Sequence, residues 1–265
     1  MMTETPEVDR RFATTLARGL AVLRAFRPSD DGLGNAEIAE RTGLPKSTVS
    51  RLTFTLQSLG YLTQRRRDRY RPGPALLALG NMAASSISFV ELSGGPMQRL
   101  ADETGTLSLM LVRDHGKLLI VKTWRPRDMA SLWLEVGHRL PLGGTSSGHA
   151  MLAALPEDGL AEVVDEDPRL TPERAAEIRR TAYAQLVTQG FVVAPPEDYY
   201  TPNIAAVAKP FHAHDLSEPV IFTCGAMPAD LSQDRIRTEV GPKLAATVQG
   251  LERMMGQGSA IAMRG

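Results

Sequence analysis

"NAEIAERTGLPKSTVSRLTFTLQSLGYL", residues 35–62, decides the fold of the front of this chain. It reads as two short helices joined by a tight turn. The first opens at Asn35, a residue type that caps helix N-termini, and stops at Gly43. The second has Pro45 near its start and Gly60 at its end. Its apolar residues Val49, Leu52, Leu56 and Leu59 fall on one helical stripe, expected to be buried. Ala39 leaves room for the helices to pack closely, and Gly43 supplies the positive φ that the turn favours. Lys46, Ser47, Thr48, Ser50 and Arg51 are then left on the outer side of the second helix. Short hydroxyls and an Arg suit a helix end placed in the DNA major groove.

Upstream, "TTLARGLAVLRAF" (residues 14–26) sets Leu16, Leu20, Leu23 and Phe26 on one face of a further helix. Downstream, residues 61–63 read as a short strand, "RRRDR" as a basic turn and "YRPG" as the return strand. Arg65, Arg66, Arg67 and Arg69 would lie along the DNA backbone or in the minor groove, as the wing of a winged helix-turn-helix does. Each piece alone has a plainer reading: a structural helix pair, or a solvated basic surface. In the order helix, helix-turn-helix, basic hairpin, they point to DNA binding.

The charge distribution agrees. Residues 1–80 carry 13 Lys and Arg against 8 Asp and Glu, while the remainder carries 17 against 22, although the whole chain is formally neutral. A basic front and an acidic remainder suggest two domains with different partners. No stretch approaches the roughly 20 apolar residues of a membrane span. The first residues lack the apolar core of a secretory signal. Cys224 is the single cysteine, which excludes an internal disulfide or a Cys-based zinc cluster. A reducing, cytoplasmic setting is expected, with no cofactor and no metal. His212 and His214 could face one side of a strand, but no third ligand is evident.

Residues 75–88 read as a helical connector, followed by a helix over about 89–104. From Leu107 the pattern turns to strands: "LSLMLVRDHGKLLIVKTW" as a hairpin, "ASLWLEVG" as a further strand, and "IAAVAKPFHAHDLSEPVIFTCGAM" as two more. Helices are expected at about 149–155, over "LTPERAAEIRRTAYAQLVTQGF", and over "SQDRIRTEVGPKLAATVQGLERMMG". Strands flanked by helices at both ends make an α+β domain.

"GGTSSGHAML" (residues 143–152) contains G-x-S-x-G, the pattern of a hydrolase nucleophile elbow. An elbow needs a strand running straight into the serine, whereas Pro141, Gly143 and Gly144 form a loop. Asp198 with His212 or His214 would keep the hydrolase order, but those histidines fall in a hairpin turn. The other reading is a hydroxyl-rich loop opening a helix. The first N–H groups of that helix can receive a carboxylate, joined by the hydroxyls of Thr145, Ser146 and Ser147, next to Gly148. Plain helix capping would use the same residues.

"RGLAVLRAF", the helix-turn-helix segment, "YRPGPALLALG" and "VGHRLPLGGTSSGHAMLAALP" together resemble the IclR family of transcriptional regulators over nearly the whole chain. The resemblance implies a winged helix-turn-helix over 1–75, a linker helix over 76–90 and a GAF-like effector-binding domain over 91–265. It implies dimers, often paired into tetramers, on double-stranded operator DNA, and control of catabolic genes by a small organic acid rather than catalysis. Carried over onto this chain, the effector pocket would take Met129, Leu132 and Leu140 from the region before the loop. The loop itself and Ala205, Phe222 and Cys224 on the late strands would complete it. These residues make an apolar pocket, and Trp124, Trp133, Tyr199 and Tyr200 could enclose an aromatic or bulky acid. Both Trp residues could equally be core or interface packing, and Cys224 a buried small residue.

Overall fold

The computed structural model describes residues 11–65, 69–86, 88–128, 131–212 and 216–255. Arg66, Arg67, Met129 and His214 lie outside the described residues. The chain divides into two units, Met1–Ser86 and Ile87–Gly265.

The first unit runs α1 (Thr14–Arg24), α2 (Asn35–Thr42), α3 (Lys46–Ser58), β1 (Leu62–Arg65), β2 (Arg69–Pro72) and α4 (Pro74–Ser86). Its small core joins Val22, Leu33, Ile38, Val49, Leu62 and Tyr70. Gly43, at φ 69°, closes α2 by donating its N–H to the Ala39 carbonyl, and Gly60, at φ 77°, follows α3. β1 and β2 pair antiparallel, and Leu33 bridges to Tyr70 beside them.

Three expectations change here. Asn35 is the first helical residue and not the cap. The Gly34 N–H donates to Glu37 Oε2 (2.8 Å), while the Asn35 side-chain oxygen accepts from the buried Thr53 hydroxyl (3.0 Å) and so fastens α2 to α3. On α3, Val49 is buried and Leu52 and Leu56 are half-buried, but Leu59 lies beyond the last helical residue and is exposed. On α1 the buried residues are Gly19 and Val22; Leu16 and Leu20 are 63% and 51% exposed. The small side of the helix, with Gly19 against Leu52, approaches α3.

The second unit runs α5 (Ser88–Leu92), α6 (Gly94–Thr104), β3 (Leu107–Asp114), β4 (Lys117–Trp124), β5 (Arg139–Pro141), α7 (Ser146–Ala154), α8 (Glu157–Glu166) and α9 (Pro172–Gln189). It continues with β6 (Ala205–Phe211), β7 (Val220–Ala226), α10 (Gln233–Arg235), a π-helical turn (Ile236–Val240) and α11 (Gly241–Met254). The strands form one antiparallel sheet in the order β5-β4-β3-β7-β6. Strand side chains alternate between two cores. One core holds Phe89, Met97, Val248 and Leu251 from α5, α6 and α11 with Met110, Trp124, Phe222 and Cys224 from the sheet. The other holds Met151, Leu160, Ile178 and Leu186 from α7, α8 and α9 with Leu109, Leu111, Leu118 and Ile221. This is an α+β arrangement, as expected.

"ASLWLEVG" is not a strand among its described residues; Arg139–Pro141 pairs with β4, and Gly137 and His138 reach it only through backbone hydrogen bonds to Ile120 (2.8 and 2.9 Å). Arg125 explains why. Its guanidinium donates to the carbonyls of Leu132 and Leu134 (both 2.7 Å) and to the Ser131 hydroxyl (2.9 Å), taking acceptors a sheet partner would need. α7 begins at Ser146, three residues before expectation. α8 was not anticipated; Arg113 of β3 ties it down through Glu162 (2.9 Å). The closing helix contains the π turn before Gly241, where a Cβ would meet the Phe191 ring at 2.5 Å.

Candidate functional site

The chemistry of the second unit gathers where α7 points its N-terminus at the sheet. Thr145 caps the helix: its Oγ1 accepts from the Gly148 N–H (2.9 Å) and donates to the Pro141 carbonyl (2.9 Å). Gly148 is required by packing. A Cβ there would lie 2.0 Å from the Leu142 carbonyl oxygen, so only glycine lets the helix sit on that loop backbone.

The two serines of the loop do different work. Ser146 Oγ accepts from the Ala194 N–H (2.9 Å), donates to the Ala206 carbonyl (2.7 Å) and lies 2.6 Å from the Tyr199 hydroxyl. The Tyr199 hydroxyl also meets the N–H (3.0 Å) and carbonyl (2.9 Å) of Ala206. Ser146 is therefore a brace that satisfies the outer edge of β6. Ser147 Oγ instead lies 2.9 Å from Thr223 Oγ1, across from helix to sheet. In such a hydroxyl pair one member donates to the other, and the second member keeps a proton to give.

That pair faces a nearly shut cavity of about 20 Å³, room for roughly one water. Leu109, Leu132, Leu134, Leu140 and Ile204 supply apolar wall, and Tyr199 and Tyr200 supply aromatic wall. Thr145, Ser147 and Thr223 supply aliphatic hydroxyls, and no lining side chain among the described residues is charged. Residues 195–204 strap the cavity shut. The Tyr200 N–H donates to the Gly144 carbonyl (3.1 Å), and Asp198 pairs with Arg174 of α9 at 2.6 Å. Tyr199 and Ile204 also line an open groove of about 320 Å³ together with Pro196, Pro202, Pro228 and Leu231, so these two side chains separate groove from cavity.

Of the residues expected at this site, Leu132, Leu140, Thr145 and Ser147 line the cavity. Ser146 and Gly148 hold the loop without lining it. Ala205, Phe222 and Cys224 face the opposite core, because strand neighbours point to opposite sides of a sheet; Ala206, Thr223 and Gly225 take their places. Leu109, Leu134 and Ile204 went unrecognised. Trp124 packs on Phe222 in the opposite core (6.4 Å between rings), and Trp133 is 77% exposed over the Arg125 guanidinium. Tyr199 and Tyr200 are the aromatic residues that reach the cavity.

Burial favours the neutral forms of His149, Tyr199, Tyr200 and Cys224. Burial depresses the His149 imidazole below its ordinary value, and its Nε2 lies 3.1 Å from the Gly143 carbonyl. Burial raises the phenols of Tyr199 and Tyr200. Burial pushes the Cys224 thiol up to about 11, so it is an inert core residue.

In the first unit, Lys46, Ser47, Ser50 and Arg51 are exposed along α3 and Thr48 is half-buried. Arg69 is engaged within its own unit. Its guanidinium donates to the Gly32 carbonyl (2.7 Å) and to Glu37 Oε1 (3.1 Å), which braces the hairpin against the start of α2. Arg41 makes a two-pronged contact with Asp30 (2.6 and 2.9 Å) and holds that carboxyl below its ordinary value.

Two family models match the chain: the IclR helix-turn-helix domain over residues 15–66, and the bacterial transcriptional regulator IclR C-terminal domain over residues 81–252. The HTH-type transcriptional regulator TsaQ1/TsaQ2 of Comamonas testosteroni is 28% identical over 247 residues, covering 91% of this chain and 88% of the relative. The crystal structure of an IclR family transcriptional regulator from Brucella abortus is 34% identical, with a TM-score of 0.73 over 93% of this chain and 94% of that one. An IclR homologue from Microbacterium hydrocarbonoxydans, complexed with 4-hydroxybenzoate, shares the fold at 21% identity, with a TM-score of 0.70 over 91% and 99% of the two chains. The relatives are transcriptional regulators and not enzymes. The hydrolase reading of "GTSSG" falls with them, and Ser146 has Tyr199 and backbone groups, not an imidazole, as its hydrogen-bond partners. Among the described residues no single helix is long and apolar enough to cross a membrane.

Proposed function

Because the chain belongs to the IclR family of DNA-binding transcriptional regulators, we propose that it controls catabolic genes in response to an aromatic or hydrophobic monocarboxylic acid. The acid binds where α7 meets the sheet. The observation that carries this reading is the lining of the cavity: a hydroxyl pair, Ser147 and Thr223, and the Thr145 cap beside a helix N-terminus, with the other described walls apolar or aromatic and no cation among them. One carboxylate finds donors there. The second carboxylate of a compact dicarboxylate would be desolvated without a partner, at a cost of roughly a few kcal/mol. The homologue complexed with 4-hydroxybenzoate supports an acid of this class. A benzene-sized guest needs a void of about 150 Å³. Binding therefore requires Tyr199, Tyr200 and the strap to move and join the cavity to the outer groove.

The partition follows the same reading: a winged helix-turn-helix over about 1–75, a linker over 76–90 and the effector domain over 91–265. Lys46, Ser47, Thr48, Ser50 and Arg51 face the operator, and the arginines of the β1–β2 hairpin follow its backbone. Leu16 and Leu20, at i and i+4 of α1 and both more than half exposed, with Phe12 exposed just before the helix, form an apolar patch suited to a homodimer. The working compartment is the cytoplasm.

Calorimetric titration of the full-length protein with benzoate-type acids and compact dicarboxylates tests the effector class. Aromatic monocarboxylates are expected to bind, and Thr223→Val to weaken them about tenfold or more by removing one hydrogen bond to a charged group. Tighter binding of the dicarboxylates would refute it.

A further inference from the structure

The outward face of α3 carries a side chain that neither folding nor hydroxyl readout accounts for. Val49 and Thr53 are buried and Leu52 and Leu56 half-buried, which fixes the inward side of the helix. Ser47, Ser50, Arg51 and Phe54 stand at i, i+3, i+4 and i+7, all exposed, on the other side. Phe54 is 69% exposed. Around it the helix carries only short or hydrophilic groups, Ser50, Arg51, Thr55 and Ser58, and the hydroxyls of Thr55 and Ser58 are turned back onto the carbonyls of Arg51 and Phe54 (3.0 and 2.9 Å). The phenyl ring is thus the one large apolar group on that stripe.

We infer that Phe54 reads a thymine in the operator by packing its ring against the C5-methyl group in the major groove. The i, i+3, i+4, i+7 set is what a helix lying along the groove offers to successive base edges. Thymine alone among the four bases presents a methyl group there, and an apolar side chain is its complement. Serine hydroxyls accept either a donor or an acceptor edge and discriminate weakly, so an Arg and a Phe on one stripe divide the recognition. Arg51 suits the two acceptors of a guanine, and Phe54 suits a methyl one helical turn further on. The exposure of the ring is explained by the same assignment: its apolar partner is on the DNA. This rests on the reading of α3 as the groove helix, and goes beyond it in assigning one base feature to one side chain.

The test uses the full-length protein and duplexes selected by it from a random library. Each thymine of the selected duplex is replaced in turn by deoxyuridine, which removes only the methyl group. At one thymine per half-site the replacement is expected to weaken the wild-type protein about fourfold, the worth of one buried methyl-sized group. Phe54→Ala should bind the thymine and uracil duplexes equally at that position, and Arg51→Ala should keep the difference. Phe54→Leu, which retains an apolar surface, should keep part of it. If Phe54→Ala responds to every replacement as the wild type does, or if no replacement weakens the wild type, the inference is wrong. It is equally wrong if Phe54→Ala changes the oligomeric state with no change in methyl sensitivity, since the ring would then belong to a protein contact. Loss of operator discrimination in Arg51→Ala with full methyl sensitivity in Phe54→Ala overturns this inference alone. No loss of discrimination in Arg51→Ala overturns the reading of α3 on which it rests.

Discussion

Replacing Ser146 by alanine separates a brace from a ligand group. Three partners meet at its Oγ: the Ala194 N–H at 2.9 Å, the Tyr199 hydroxyl at 2.6 Å and the Ala206 carbonyl at 2.7 Å. The Tyr199 hydroxyl would still serve both backbone groups of Ala206, so that carbonyl keeps a donor. Ala194 is fully buried, and its N–H would be left without an acceptor. An unsatisfied buried donor costs about 1–3 kcal/mol, so we expect Ser146→Ala to lose about 2 kcal/mol. For a unit of this size that lowers Tm by roughly 4–8 °C. Both tryptophans, Trp124 and Trp133, lie in the second unit, so urea unfolding followed by tryptophan fluorescence reports on that unit without the first. Any change in acid binding should be smaller than for Thr223→Val. Unchanged stability with abolished acid binding would refute the reasoning, because Ser146 would then be touching the ligand.

Gly148→Ala is expected to be more severe, on the order of 3 kcal/mol or more, since the added Cβ would meet backbone and not a movable side chain; a midpoint in the same fluorescence assay close to wild type would contradict it. Acid should weaken the Asp30–Arg41 contact. The folded carboxyl titrates below its ordinary value of 3.8, chiefly through the Arg41 hydrogen bond, so its stabilisation is complete above that value and is lost as pH falls through the lower, folded one. Wild type should therefore exceed Asp30→Asn in urea midpoint at about pH 6, with the gap narrowing towards about pH 3 by circular dichroism. A gap that stays constant over this range would show that the ionised carboxylate is not what matters.

The helix-turn-helix was legible because its determinants are local. Gly43 and Gly60 act through their own φ, and Val49 and Leu52 through a helical period that needs no distant partner. At α7 the hydroxyl-rich loop was legible as a helix opening, but its start was placed three residues late and the cap was left open among Thr145, Ser146 and Ser147; the structure gives it to Thr145, which meets Gly148 three residues on. The sheet side of the site was not. Whether Phe222 or Thr223 faces α7 depends on the register of β7 against β3, where Met110 pairs with Phe222 and Leu109 with Thr223. A run such as "VIFTCGA", buried on both sides, carries no alternation to reveal which residue points where. An error of one position moves the whole set to the other core, and Ala205, Phe222 and Cys224 moved together. Ser146 and Ser147 differ by one helical step, about 100° of rotation, and only the packing of α7 against β6 decides which is the brace.

The same lining explains how the cavity can be nearly shut. A pocket that carries a fixed cation must stay hydrated, because burying an unpaired charge is costly. Here the described walls are leucines, an isoleucine, tyrosines and hydroxyls that already have hydrogen-bond partners, so the unit can close on itself without stranding a charge. Closure is then held by few polar contacts: Tyr200 to Gly144, Asp198 to Arg174, and Tyr199 to Ser146 and Ala206. On the proposed reading, an acid entering from the groove side would have to displace Tyr199 and Ile204, which line both spaces. A ligand shifts an equilibrium only by its difference in affinity for the two states. A closed state with no room for a carboxylic acid has almost no affinity for it, so the binding energy available to the open state is also the energy available to move the strap. If the proposed acid binds here, its coupling to the structure would follow from the lack of space in the nearly shut cavity. It requires no charge change at His149, whose buried ring is neutral in this state.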